Sequence, residues 1–276
     1  MKTPPVILSI AGSDCSGGAG IQADIKTISA LGGYAASVIT AVTVQNTLGV
    51  QAVYPLPAEV VRAQIEAVMD DLQPEAIKIG MVHDASIVAV IVECLQKYRP
   101  RFVVYDPVMI STSGRRLMTD ETIELIQKEL FSLCTLITPN LSEASLLCGN
   151  KLSTPEEMEQ AAGKLSRQHS TSVLIKGGHL EGNQMCDVLH QRLCSPQTDI
   201  QFPSCTYCIG KKIKSSNLHG TGCTLSSAIP TYLAQGKHLK EAVSQAKEYI
   251  SKAIDGGKDL NIGHGNGPLW HFSTPE

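Results

Sequence analysis

The residues best placed to do chemistry lie in His219-Gly220-Thr221-Gly222-Cys223-Thr224, a run of small residues that opens a helix-period segment, Gly220–Gln235. The first backbone N–H groups of a helix have no partner within it, and the helix dipole favours an anion there. A thiol at such a place is expected to lose its proton more readily than in water. Cys223 could then serve as proton acceptor or nucleophile; the spacing fits one more buried thiol equally well. A second run, Ala11-Gly12-Ser13-Asp14-Cys15-Ser16-Gly17-Gly18-Ala19-Gly20, joins an apolar segment to another helical pattern and offers the same kind of anion cradle. One such run is commonly just a tight turn. Two of them, with the polar residues below, point to phosphate.

Polar residues recur at the ends of apolar segments. Asp106 follows Val103-Val104-Tyr105, Asn140 and Glu143 follow Leu136-Ile137-Thr138, and Lys176 ends Val173-Leu174-Ile175. Ligands of open parallel sheets bind beyond the carboxyl ends of the strands, where carboxylates and a lysine can hold magnesium and nucleotide phosphates. Taken singly, Asn140 reads as an N-cap and Lys176 as a surface lysine; their recurrence at one edge argues otherwise. Neither common phosphate fingerprint fits. Gly12–Ala19 lacks the lysine of a G-x-x-x-x-G-K-[ST] loop, and no acidic residue follows Gly33-Tyr34 to hold the ribose of a dinucleotide.

Elements that could position these groups follow a regular rhythm. Apolar runs rich in Val and Ile, at Val6–Ala11, Ser37–Val44, Ala76–Gly80, Phe102–Tyr105, Leu136–Thr138 and Ser172–Lys176, read as strands buried on both faces. Helical stripes lie between them, including Ile21, Ile25, Ile28 and Leu31, and Val60, Val61, Ile65, Val68, Met69 and Leu72. Thr154-Pro155-Glu156-Glu157 is a helix start with N-cap, first-turn proline and glutamate at N3. The expectation is one α/β domain over residues 1–276, a mostly parallel sheet flanked by helices. Residues 184–216 break the rhythm; Val188-Leu189-His190 and Ile200-Gln201-Phe202 suggest short antiparallel strands or a flap.

Composition narrows the partners. A formal charge of −3 offers no general attraction to nucleic acid or anionic membrane, and Lys211, Lys212 and Lys214 read as a solvated edge. No stretch approaches the roughly 20 apolar residues that span a bilayer, and the opening MKTPPVILSIAGSD does not resemble a signal peptide, so a cytoplasmic protein is expected. Nine cysteines then read as reduced thiols. Cys205 and Cys208 form a C-x-x-C, but Cys186 and Cys194 are too widely spaced to complete a usual zinc site.

AGSDCSGGAGIQADIKT, VITAVTVQNT, IKIGM, DPVM, ITPNLSEA, IKGGH and HGTGCTLSSAI occur in that order over nearly the whole chain. With these motifs it closely resembles the hydroxymethylpyrimidine/phosphomethylpyrimidine kinases of thiamine biosynthesis, members of the ribokinase-like superfamily. The resemblance implies a central, mostly parallel sheet with a small β flap, and two phosphoryl transfers from ATP. The first goes to the hydroxymethyl oxygen of 4-amino-5-hydroxymethyl-2-methylpyrimidine, the second to the phosphate so formed. It places Gly12, Asp24, Gln45 and Met81 around the pyrimidine, and Asp106, Asn140, Glu143, Lys176 and Thr221 around ATP. Glu143 and Asp106 would hold Mg2+, with a requirement for K+ left open. Cys223 would be the catalytic base, and Gly220, Thr221 and Gly222 the anion hole. A homodimer is implied. Leu218 and Cys15 depart from the family pattern, as does the cysteine-rich segment 184–216. Pyridoxal or pyridoxine is the rival substrate. A sugar kinase would carry aspartate in place of Cys223, and a non-catalytic relative would be expected to lose Gly220–Cys223, Glu143 or Lys176.

Overall fold

The computed structural model describes residues 3–109, 117–178, 184–192 and 205–272. Among these residues nine strands form one sheet in the order β3-β2-β1-β4-β5-β6-β7-β8-β9. These are β1 (Val6–Asp14), β2 (Tyr34–Asn46), β3 (Gly49–Pro55), β4 (Ala76–Ile79), β5 (Phe102–Tyr105), β6 (Leu136–Ile137), β7 (Ser172–Ile175), β8 (Gln184–His190) and β9 (Cys205–Lys211). The six strands from β2 to β7 pair in parallel, and β3, β8 and β9 add antiparallel edges. Helices α1 (Gly20–Ala30), α2 (Ala58–Asp71), α3 (Ala85–Tyr98), α4 (Asp120–Leu125), α5 (Leu141–Cys148), α6 (Pro155–His169), α7 (Thr221–Ala234) and α8 (Leu239–Gly257) cover it.

Successive residues of a strand face opposite sides, so short apolar strands feed two cores. Val103 and Tyr105 of β5 pack with α2, α3 and α6, whereas Val104 packs with α7 and α8. β6 and β7 divide the same way: Ile137, Val173 and Ile175 on the first side, Leu136 and Leu174 on the second. In β4, Ile77 and Ile79 take the first side. Lys78 therefore points toward α1 and α7, where it is fully buried. The start of α6 follows its sequence signature: Thr154 Oγ1 accepts the Glu157 N–H at 3.2 Å and Glu157 Oε2 accepts the Thr154 N–H at 3.2 Å.

Two expectations change. β2 outruns the expected Ser37–Val44 and turns back into β3, a hairpin absent from the sequence reading. In segment 184–216 the antiparallel strands exist, but they continue the sheet as β8 and β9, with Val188 and Leu189 fully buried. Ile200-Gln201-Phe202 lies outside the described residues. The hairpin that stands beside the site is β2–β3.

Candidate active site

From β1 the chain steps to β2 on one side and returns to β4 on the other, so a switch point falls between β1 and β4. Gly12 and Met81 face each other across this crevice. A Cβ on Gly12 would lie 2.5 Å from Met81 Cε, so glycine there leaves room for the methionine. Thr40 of β2 donates its hydroxyl to Met81 O at 2.8 Å and fixes that backbone. Gln45, half-buried near the end of β2, has its backbone held by Cys15: its N–H points at the Cys15 sulfur at 3.4 Å, and the thiol donates to Gln45 O at 3.1 Å. Of the four residues expected around a substrate ring, Gly12 and Met81 thus meet across the crevice, and Gln45 lies farther along β2, against His219 at the head of α7.

Asp24 is the exception. Its carboxylate is completely buried, takes Lys78 Nζ at 2.8 and 3.0 Å, and accepts the hydroxyls of Ser9 at 2.5 Å and Ser227 at 2.7 Å. No oxygen is left for a ligand, so its place is beneath the site rather than in its wall. Burial opposes a charge on Lys78, yet Asp24, helped by Cys223 and Asp106, holds the ammonium above its ordinary range. Ser227 lies one turn along α7 from Cys223, which sets this ion pair under the first turn of that helix.

The two glycine runs interlock. Gly220 is the N-cap of α7 at φ 87°, and a Cβ there would lie 1.9 Å from Gly18 O. Gly18 in turn leaves room for His219, whose Cδ2 would be 2.3 Å from an added Cβ. Asp14 ties the first run together by accepting the Ser16 N–H (2.9 Å), the Ser16 hydroxyl (2.7 Å) and the Ala19 N–H (2.8 Å), and it bonds His219 Nε2 at 2.8 Å. Burial would raise this carboxyl, but His219 and Ser16 hold it down to about 2. At the head of α7 the Thr221 N–H reaches Leu218 O and the Thr224 N–H closes the first turn on Gly220 O. The Gly222 and Cys223 N–H groups, as the second and third of the helix, are available to an anion.

Cys223 itself departs from expectation. Burial pushes its thiol up to about 11, with Asp24 and Asp106 adding to the rise, against the pull of Lys78 and the Gly20 N–H. The helix N-terminus does not outweigh lost hydration, and the thiol is protonated at neutral pH in the unliganded protein.

Beside this turn lies the pair Asp106–Lys176, 2.6 Å apart, with Asp106 buried and Lys176 partly so. A Cβ on Gly222 would come within 3.3 Å of Asp106 Oδ2 and 3.5 Å of Lys176 Nζ, so the pair borders the α7 cradle directly. Burial opposes the Lys176 charge, and Asp106 and Glu143 more than restore it. Asn140 caps α5, accepting the Glu143 N–H at 2.9 Å, while Glu143 Oε2 accepts the Asn140 N–H at 2.8 Å. Asn140 is therefore an N-cap that also presents Glu143 to the site. Burial raises the Glu143 carboxyl to about 7, Lys176 pulling it down and Asp106 pushing it up. Two carboxylates, one short of positive charge, are the hard oxygen donors that Mg2+ takes; among the described residues Glu143 Oε1 accepts only a long 3.4 Å contact from the Met109 N–H, which leaves it able to reach such an ion.

From sequence, Asp14 and His219 enter the site only as parts of the two glycine runs, with no role of their own, and Lys78 does not enter it at all. Lys78 did leave a signal, a charged residue inside a run otherwise read as a buried strand. Asp187 was missed too: it accepts the Gly177 N–H at 2.8 Å, just after Lys176, and pairs with Lys247. Cys205 and Cys208 pack against opposite cores, as residues three apart on a strand must, so the C-x-x-C cannot grip one ion.

A sheet of this order, with its switch point facing a helix that carries a thiol beside an anion cradle, defines a phosphotransferase of ribokinase-like fold. The sequence model of the family described as phosphomethylpyrimidine kinase matches residues 14–270, and the chain belongs to that family. It is 47% identical over 268 residues to a hydroxymethylpyrimidine/phosphomethylpyrimidine kinase of Rhizobium meliloti, covering 97% of each chain. Among solved structures it resembles the phosphomethylpyrimidine kinase of Clostridium difficile, at TM-score 0.77 and 44% identity, over 91% of this chain and 99% of that one. It also resembles a Staphylococcus aureus pyridoxal kinase in complex with AMP-PCP and pyridoxal, at TM-score 0.85 and 33% identity, over 98% and 94%. The two measures rank these structures oppositely. Superposition reports the shared fold and whole-chain identity the sequence relationship, and the match of the family model together with the higher identity places the chain with the phosphomethylpyrimidine kinases.

Proposed function

We infer that the chain transfers phosphoryl groups from ATP, first to the hydroxymethyl oxygen of 4-amino-5-hydroxymethyl-2-methylpyrimidine and then to the resulting phosphate, as a step of thiamine biosynthesis. The observation that carries this is the meeting of Gly12 and Met81 across the crevice, with Gln45 farther along β2 against the head of α7, the helix of Cys223. The Met81 side chain and the Gln45 amide suit a flat ring with a polar edge. Its hydroxymethyl group would lie at the Cys223 thiol. The Gly222 and Cys223 N–H groups would hold the transferring phosphoryl, and Lys176, oriented by Asp106, the neighbouring nucleotide phosphates. Glu143 and Asp106 would hold Mg2+, which supplies charge neutralisation on the phosphates. The Cys223 sulfur would take the hydroxyl proton in the first transfer; the second acceptor, a phosphate, is already ionised. Asp24 would act through Lys78, setting the charge beneath the thiol.

Among the described residues no helix is long and apolar enough to cross a membrane, in keeping with a cytoplasmic enzyme. Val42 and Tyr54, paired across β2 and β3, and Val44 beside them are 42%, 62% and 42% exposed. This apolar strip supports a homodimer, checked by light scattering of the protein with and without Tyr54→Glu. The function is tested by supplying ATP and magnesium with either the pyrimidine or pyridoxal and identifying products by mass spectrometry. A doubly phosphorylated pyrimidine is expected. Turnover of pyridoxal alone would move the protein to the other branch.

A further inference from the structure

His219 offers one ring nitrogen to two partners, Asp14 Oδ2 at 2.8 Å and the side-chain nitrogen of Gln45 at 3.0 Å. Asp14 is a carboxylate surrounded by donors, so it can only accept. His219 Nε2 must therefore carry a hydrogen, in the neutral ring and the imidazolium alike, and a nitrogen so occupied cannot accept from the Gln45 NH2 group. A second conflict lies at the other end of the amide. The Thr43 hydroxyl has one hydrogen, yet it faces two acceptors, Ser13 O at 3.0 Å and Gln45 Oε1 at 3.3 Å. The oxygen and nitrogen of a glutamine amide are alike in shape and are told apart by their partners. Rotating this amide by half a turn replaces the donor-to-donor contact at His219 with a shared hydrogen bond, its single Nε2–H lying between Asp14 Oδ2 and Gln45 Oε1, and it relieves Thr43. Oε1 then accepts from His219, the NH2 group donates to Thr43, and the Thr43 hydrogen is free for Ser13 O. Cys15 already holds the Gln45 backbone on both sides, so the amide is the part left to be set.

We propose that His219, fixed by Asp14, sets the hand of the Gln45 amide and thereby acts as a specificity-determining positioning residue. With Oε1 on His219 and one N–H on Thr43, the amide keeps one donor and one acceptor in a fixed order. That edge fits an aromatic ring bearing an acceptor nitrogen beside an exocyclic amine. Pyridoxal has no amine next to its ring nitrogen and cannot fill both positions. The choice of ring rests on the pyrimidine reading given above; the hand of the amide does not.

The test has two arms. In the full-length protein labelled with 15N-glutamine, the Gln45 side-chain NH2 protons should show nuclear Overhauser contacts to the Thr43 methyl group. Contacts to the His219 ring protons with none to Thr43 would overturn the assignment, whatever the enzyme's substrate. In the second arm, kcat and KM are measured for the pyrimidine and for pyridoxal with His219→Leu, Gln45→Leu and the double variant. His219→Leu should lower the pyrimidine-to-pyridoxal ratio of kcat/KM by about tenfold or more, through KM with kcat little changed. Adding it to Gln45→Leu should cost nothing further, because both act through one contact. Additive losses refute the proposal. Should His219→Leu not fold, Thr43→Val releases the amide from its other side and must shift the ratio in the same direction. A wild-type protein that phosphorylates neither ring refutes the function, and the magnetic resonance arm still decides the amide.

Discussion

Replacing Cys223 by alanine should separate the two phosphoryl transfers. Burial sets the thiol at about 11, against 9.0 for an ordinary cysteine, which disfavours the thiolate by about 3 kcal/mol at one pKa unit per 1.36 kcal/mol. At pH 8 about one molecule in a thousand carries the thiolate, a tenfold change for each pH unit. If that thiolate accepts the hydroxyl proton, kcat/KM for the first transfer should climb about tenfold per unit between pH 7 and 9. Transfer to the phosphate should not, because its acceptor brings its own charge. Cys223→Ala should then cost the first transfer on the order of 10²–10⁴ and leave its remaining rate nearly independent of pH. The second transfer should lose far less. The assay supplies the pyrimidine or its monophosphate separately, with saturating ATP and magnesium, and follows ADP release from pH 6.5 to 9. Parallel pH profiles for the two acceptors, or equal losses in the alanine variant, would refute proton transfer to sulfur and leave Cys223 as a packing residue.

Gly220→Ala should lower Tm by more than 10 °C in a thermal scan and abolish turnover, since the added carbon meets Gly18 O at a backbone with φ 87°. Glu143, raised from 4.5 to about 7, should contribute stability that is fully present below pH 4.5 and lost as pH rises through 7. Its share is about 3 kcal/mol; Glu143→Gln should flatten that part of the denaturation profile between pH 5 and 8 while removing activity, and an unchanged slope would show the carboxyl to be ionised freely. Lys78→Met leaves Asp24 buried without its partner and should cost about 3–5 kcal/mol in denaturant unfolding. The double variant Lys78→Met with Asp24→Asn should recover most of that, and failure to recover would mean that the pair's surroundings, not its charges, set the stability.

What could be read from the chain alone depended on neighbours in sequence. The capping boxes at Thr154 and Asn140, the parallel strands and the polar residues at their ends are all written within a few residues of where they act. Lys78 and Asp24 are 54 residues apart, and Asp14 and His219 are 205 apart; no spacing rule joins such pairs, because only the sheet order brings them together. The Cys223 thiol shows the same limit in energy. A helix N-terminus argues for a lowered pKa, but the thiol is buried among groups that α1, β4 and the turn after β5 bring to it, and the lost hydration reverses the sign.

The glycines mark where the two kinds of information meet. Gly18 and Gly220 each read as a turn residue, and each reading is correct as far as it goes. Their common reason is a contact across some 200 positions of chain, where a single carbon on Gly220 would sit 1.9 Å from the Gly18 carbonyl. That approach brings the start of α1 against the start of α7, and so sets Cys223 under the Gly20 N–H and His219 between Asp14 and Gln45. The same two residues that make the anion cradle local to α7 thus make the rest of the site non-local. A substitution at Gly18 should accordingly damage Cys223 and Gln45 together, although neither touches it in sequence: a Cβ there meets His219 at 2.3 Å, and Gly18→Ala should raise KM for the pyrimidine as well as lower kcat. An effect on kcat alone would mean that His219 yields without disturbing Gln45, and would uncouple the two halves of the site.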